Sequence, residues 1–334
     1  FVAAPVSMNA STRPSPEFLA AFRAAAGESG VMPFDRFMDL ALYHPQLGYY
    51  RRSRGRVGYA PGTDFFTATT SGPVFGELVA AACTSLLAPA AVRDFTFVEI
   101  GAEPGGHVLQ SVAHPFRDVR TLRLGDPLQL DGPCVVFSNE LFDAQPFRRF
   151  VYRSGAWREL GVRVETDALL EAELDLADPP VSLPVSHVEG YTIDYPAEAV
   201  SLLDRLAAEP WTGLFVACDY GKTWSELIEH CPHGTARAYA NHVQSNDLLA
   251  RPSEQDLTCH ICWDWLSAAL ARAGFSAPIV ESQESFFIRR AEAFISAAIA
   301  ADARGFSPRK LSLLQLLHPT HLGQKFQVLH ARRE

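Results

Sequence analysis

Hydrophobic positions along the chain change period near residue 95. Before it the period is helical. Residues 17–50 read as a helix followed by a second helical segment, with Phe34, Phe37, Met38 and Ala41 on one face until "YHPQLGYY" breaks the pattern. An arginine- and glycine-rich stretch, 51–64, reads as a mobile loop. "GPVFGELVAAACTSLLA" then predicts a helix with Val74, Leu78 and Ala81 aligned. From Phe95 onward "FTFVEIG", "VRTLRL", "CVVFSNEL" and "GLFVACDYG" are short apolar runs of buried-strand type, each ending in glycine or polar residues. The helical run "AEAVSLLDRLAAE" precedes the last of them. Strands that alternate with helices and end in polar loops predict a parallel sheet with ligands at the strand C-termini. "FRRFVYRSGAWRELGVRVE" alternates around Ser-Gly and predicts an inserted antiparallel hairpin. "ESFFIRR" and "KFQVLHARR" are expected to close the sheet as an antiparallel pair.

Composition narrows the partners. The chain has 334 residues and a formal charge of −9, which argues against nucleic acid, since phosphate binding needs a basic face. It suits a cationic substrate or a basic protein. No apolar stretch reaches the roughly 18–20 residues of a membrane span. The N-terminal stretch lacks the basic and long apolar regions of a secretory signal. Six cysteines scattered through a chain this long do not form a disulfide framework. A cytoplasmic protein is expected, or one of the mitochondrial matrix in a eukaryote. A homodimer is compatible with everything so far.

Chemistry concentrates at the strand ends. "FVEIGAEPGG" places Glu99, Gly101, Gly105 and Gly106 where a strand turns toward a helix, and resembles the E-x-G-x-G-x-G loop of class I S-adenosylmethionine-dependent methyltransferases. Glycines there let the backbone approach a cofactor. "SNELFDAQP" brings Asn139, Glu140 and Asp143 out of a buried strand together, and two carboxylates in a cleft can grip a guanidinium through charge-assisted bonds. The alternative for these two is scaffolding: Asp143 as a helix cap, and Glu140 paired with Arg148 or Arg149. Cys259-His260-Ile261-Cys262 has no second ligand pair, so no metal is expected.

In order, "FMDLALYHPQLGYY", "TDFFTATTSGPVFGE", "SNELFDAQPFRRF", "ACDYG" and "GTARAYANHVQSND…SEQDLTCHI" resemble the MidA / NDUFAF7 family over roughly residues 32–330. These are protein-arginine methyltransferases of class I type, linked in mitochondria to assembly of respiratory complex I. The resemblance implies an α/β, Rossmann-like sheet with helices on both faces, an N-terminal helical extension (1–90), and a core (91–334) with a β-hairpin insertion near 148–200. It implies S-adenosylmethionine as cofactor, held by Glu99, Gly101, Glu103, Gly105, Gly106, Asp126, Asp64 and Thr67. Asn139, Glu140 and Asp143 become the catalytic group, and Asp219, Tyr220, Asp256 and His260 the substrate cleft. The partner is then a protein bearing arginine.

The sequence departs from the family at three points. Glu103 stands where the family loop has its middle glycine, where a carboxylate adds bulk and repels that of the cofactor, so weak binding is expected. "VRTLRLGDPLQL" is all that remains of the usual second strand and its following helix, leaving Asp126 as the acidic residue for the ribose. Thr69-Thr70 replace a Pro-Glu. A catalytically silent binding or assembly protein and a small-molecule methyltransferase remain open beside the arginine reading.

Overall fold

The computed structural model describes residues 13–52, 56, 58, 63–64, 72–176, 183–185, 188–301 and 307–334. Helices α1 (Pro16–Ala26) and α2 (Phe34–Tyr43) flank the short strand β1 (Val31–Pro33), and α3 (Pro73–Leu87) follows. The Ser15 hydroxyl accepts from Phe18 N and proline takes the first turn, so α1 begins where its orphan donors are satisfied. Next come β2 (Thr96–Ile100), β3 (Asp118–Leu122) and β4 (Gly132–Asn139), then β5 (Arg148–Arg153), β6 (Ala156–Glu165), β7 (Ala168–Leu174) and β8 (Thr192–Tyr195). Beyond them lie α4 (Ala197–Ala208), β9 (Trp211–Asp219), β10 (Gly221–Lys222), α5 (Trp224–His230), β11 (Arg237–Ala240), β12 (Val243–Ser245), β13 (Asp256–Thr258) and β14 (Ile261–Cys262). The chain ends with α6 (Trp263–Arg272), β15 (Ser276–Ser282), α7 (Gln283–Arg290), α8 (Glu292–Ala301), α9 (Pro308–Leu317) and β16 (Gln327–Arg333).

The main sheet runs β15-β16-β9-β4-β2-β3. Strands β3, β2, β4 and β9 are parallel, and β16 and β15 close one side antiparallel. Successive strand residues feed opposite cores, because side chains alternate across the pleat. Phe97, Val135 and Leu214 join α3 and α7 on one face; Val98, Val136 and Phe215 join α4 and α6 on the other. This is the two-faced α/β sheet expected from the sequence.

The closing pair corrects the sequence reading. Residues 327–333 do pair with β9, but their second partner is β15, and "ESFFIRR" is the helix α7. Phe286 and Phe287 are buried on that helix, which Ser282 starts by accepting from Ser285 N; a three-residue apolar run is too short to tell strand from helix. The hairpin β5–β6 forms as read, and grows into a five-stranded sheet by adding β7, β8 and β1 from the N-terminal region. Phe18, Phe22, Phe34 and Phe37 of α1 and α2 cover this sheet with Phe147 and Val162.

Candidate functional site

Chain order reverses between β2, which is followed by its neighbour β3, and β4 on its other side. Ligands of open α/β sheets bind at such a switch point, beyond the strand C-termini. Here it opens into a cleft of about 1320 Å³. Gly101 and Asn139 flank it on adjacent strands.

The β2 side is a turn held from below. Glu99 is buried and its Oε2 accepts Val108 N at 2.6 Å, which fixes the far end of the loop. Burial pushes its carboxyl up to about 7 against that hydrogen bond. Gly101 has φ +78°, and a Cβ there would stand 2.8 Å from Leu141 Cδ1, so both conformation and space require glycine. Arg123 Nη2 reaches Gly106 O at 3.2 Å, tying the turn to the end of β3, where Asp126 caps Arg123 N at 2.8 Å. Glu103 is not an isolated carboxylate: its Oε2 accepts Arg56 Nη2 at 2.8 Å.

The β4 side is a carboxylate floor. Glu140 leaves the strand with φ +51°, a conformation unfavourable to side-chain-bearing residues, while its N–H still bonds Cys218 O. Asn139 Nδ2 donates to its Oε1 at 3.0 Å. Asp143 is 5% exposed, and burial, then the charges of Asp219, Glu140 and Asp256, raises its carboxyl well above the ordinary range. Asp256, also 5% exposed, accepts Tyr50 Oη at 2.8 Å and is pushed up to about 7, chiefly by burial. Among the described residues no cation comes within 4.0 Å of Asp143 or Asp256. The two arginines considered as scaffolding partners for Glu140 pair elsewhere, Arg148 with Glu159 and Arg149 with Asp194. Asp143 caps no helix either; it lies in an irregular turn before β5.

Of the expected residues, Glu99, Gly101, Glu103, Gly106, Asp126, Asn139, Glu140, Asp143, Tyr220, Asp256 and His260 line the cleft. Two others lie beneath it. Asp219 is fully buried, its oxygens taken by the N–H groups of Leu141, Phe142 and Tyr220, so it clasps the turn rather than facing a substrate. Burial pushes it up to about 7. Asp64 is likewise buried, bonded by Tyr49 Oη and Asn241 N, and fastens two loops together. Thr67 lies outside the described residues. Sequence reasoning missed Tyr43, Tyr50, Arg56, Arg123, Lys222, Arg237 and Tyr239, all in the cleft wall. Tyr43 and Tyr50 stand in "FMDLALYHPQLGYY" and Tyr239 in "GTARAYANHVQSND", runs that carry the resemblance without singling the tyrosines out. His260, held down to about 4 by burial and by Lys222 and Arg237, is neutral at physiological pH.

Comparison with curated proteins found no match. Among solved structures, the chain is similar to a "likely methyl transferase" from Burkholderia thailandensis bound to S-adenosyl-homocysteine, with 24% identity and a TM-score of 0.83 over 99% of this chain and 95% of that one. It is also similar to a native structure of an uncharacterized protein of the same superfamily and organism, at 23% identity and a TM-score of 0.78 over the same shares. At these identities the likeness concerns the fold. Residues 82–280 match a family model described as "Putative S-adenosyl-L-methionine-dependent methyltransferase". That match spans more than half of the chain and takes in the glycine turn and the carboxylate floor, and the protein therefore belongs to this family of S-adenosylmethionine-dependent methyltransferases.

Proposed function

We propose that the protein transfers a methyl group from S-adenosylmethionine to an arginine side chain of a protein partner, as its resemblance to the MidA / NDUFAF7 family implies. The observation that carries this reading is the carboxylate floor: Asp143 and Asp256 are buried beside Glu140, and among the described residues neither has a cation within 4.0 Å, Arg56 acting on Asp256 only from farther off, so the cleft suits an acceptor that brings positive charge.

The turn fits the cofactor. Gly101 and Gly106 line the cleft, and Gly101 at φ +78° brings bare backbone to it, whereas Gly105, in the same turn, is not among the lining residues. Residues 101–106 would hold the cofactor's amino-acid portion through their backbone, and Asp126 its ribose hydroxyls. When bound, the cofactor supplies an electrophilic methyl group on a sulfonium centre. Glu140 and Asp143 would orient the guanidinium by paired hydrogen bonds, so rate comes from positioning. A methylated guanidinium keeps one positive charge, so one proton leaves the accepting nitrogen. A carboxylate oxygen of Asp143 is suited to take it, because burial raises its affinity for a proton above that of an ordinary carboxylate.

Calorimetric titration with S-adenosylhomocysteine, followed by mass spectrometry of an arginine peptide incubated with S-adenosylmethionine, tests the reading. Binding and a mass gain on arginine are expected. Binding without methyl transfer to any arginine peptide would favour a small-molecule acceptor, and absence of binding would make the chain a silent assembly factor.

A further inference from the structure

Arg56 comes from the run that composition assigned to a solvated loop, yet its side chain is 3% exposed. The guanidinium carbon lies 5.7 Å from the centroid of the Tyr49 ring and 5.1 Å from that of Tyr50. Nη1 faces the carbonyls of Tyr49 and Arg52 at 3.5 and 3.4 Å, and Nη2 donates to Glu103 Oε2 at 2.8 Å. Nε is buried and has no hydrogen-bond partner among the described residues. Tyr50, under the guanidinium, passes its hydroxyl to Asp256. Arg56 thus joins the glycine turn to the carboxylate floor.

Two features of this arrangement point toward a ligand. A guanidinium taken almost wholly out of water needs its donors filled, and one donor is left over. Glu103 is 41% exposed and lines the cleft at the loop position where backbone should meet an anionic group. Alone it would repel that group. Paired with Arg56 it presents no net charge, and it holds the cation at the edge of the turn.

We infer that Arg56 and Glu103 form a matched pair that keeps the glycine turn open to the carboxylate of S-adenosylmethionine, with Arg56 a positioning residue for the cofactor. The glutamate in the loop is then compensated rather than damaging. The inference rests on the proposal that the cofactor binds at this turn.

The full chain and the variants R56M, E103Q and R56M/E103Q are titrated with S-adenosylhomocysteine by calorimetry, each with a thermal melt. R56M, which strands the carboxylate, should bind about tenfold more weakly or worse. E103Q, which frees the cation, should bind about two- to tenfold more tightly, and the double variant should return to within about threefold of wild type. Rescue by the second substitution is the signature, since a merely structural role predicts two additive losses. An R56M affinity equal to or tighter than wild type, or a double variant as weak as R56M, overturns the pair. Should R56M fail to fold, E103Q decides: tighter binding supports the inference, and unchanged or weaker binding overturns it. A wild-type chain that binds no S-adenosylhomocysteine overturns the cofactor reading and this inference with it; binding by wild type with the wrong variant pattern overturns this inference alone.

Discussion

The protein buries acidic side chains in two places and treats them in opposite ways. In the five-stranded sheet, Glu159 receives a two-pronged bond from Arg148 at 2.8 and 2.6 Å. Asp194 receives Arg149 Nε at 2.7 Å on one oxygen and the N–H groups of Thr235 and Ala236 on the other. In the cleft, Asp143 and Asp256 are as deeply buried and have tyrosines, backbone and other carboxylates for neighbours, with Arg56 acting on Asp256 from beyond 4.0 Å. The residue types are the same. What differs is whether an arginine pairs directly with the carboxylate; among the described residues none does at Asp143 or Asp256, and on the proposed function that place is taken by a cationic ligand.

The most damaging way to probe this contrast is to break the matched side. Asp194→Asn leaves the mostly buried Arg149 without its counter-ion and sets an amide donor against either the guanidinium or the two N–H groups. It should cost about 3–5 kcal/mol in denaturant unfolding. A loss under about 1 kcal/mol would show that the matched pair is not structural. On the cleft side, Asp143→Asn and Asp256→Asn remove repulsion instead. Melting temperature should hold or rise, while capture of an arginine peptide weakens by about 1.5–3 kcal/mol per substitution. Destabilisation with unchanged capture would place these residues in the same class as Asp194.

Acidity sharpens the contrast more gently. Glu99, Asp219 and Asp256 all have carboxyls raised to about 7 in the folded chain, so the fold binds more protons than the unfolded chain. Their contribution to stability is full below about pH 4 and is lost as pH rises through about 7. Peptide capture should run the other way and strengthen over the same rise, as the floor ionises. Thermal melts and titrations from pH 5 to pH 8 check both trends, and capture independent of pH would remove the ionised floor from recognition. The smallest effect belongs to Glu173, whose bridge to Arg153 is 42% exposed on both sides. Glu173→Ala should stay within about 0.5 kcal/mol of wild type.

Much of the fold was legible because the sheet is buried on both faces. Runs such as "FTFVEIG" and "CVVFSNEL" have few alternatives to a parallel core strand. Pairing partners were less legible. β15 and α7 are adjacent and similar in length, and what marks the helix is local, the Ser282 side chain accepting from Ser285 N with Glu284 in the first turn and Arg289 and Arg290 in the last. In the site, the carboxylates that end up under a turn look identical in sequence to those that face the cleft. Asp219 and Asp143 differ in which backbone N–H groups fold over them, and that is a tertiary fact. Arg56 was hidden for a similar reason, since an arginine-rich run reads as solvated until a particular carboxylate and two tyrosine rings enclose one member of it.

Glu140 carries its carboxylate on a backbone conformation that costs an ordinary residue about 1–2 kcal/mol and glycine nothing. Selection at this position is therefore divided. Backbone conformation alone favours glycine or asparagine, and the side chain's own interactions, the bond from Asn139 Nδ2 among them, weigh against that drift together with any use for the charge. In any lineage of this fold that abandons its chemistry, position 140 is among the first places where the sequence gains by changing. On the proposed function, the glutamate at this position is the residue that use of the cleft would retain.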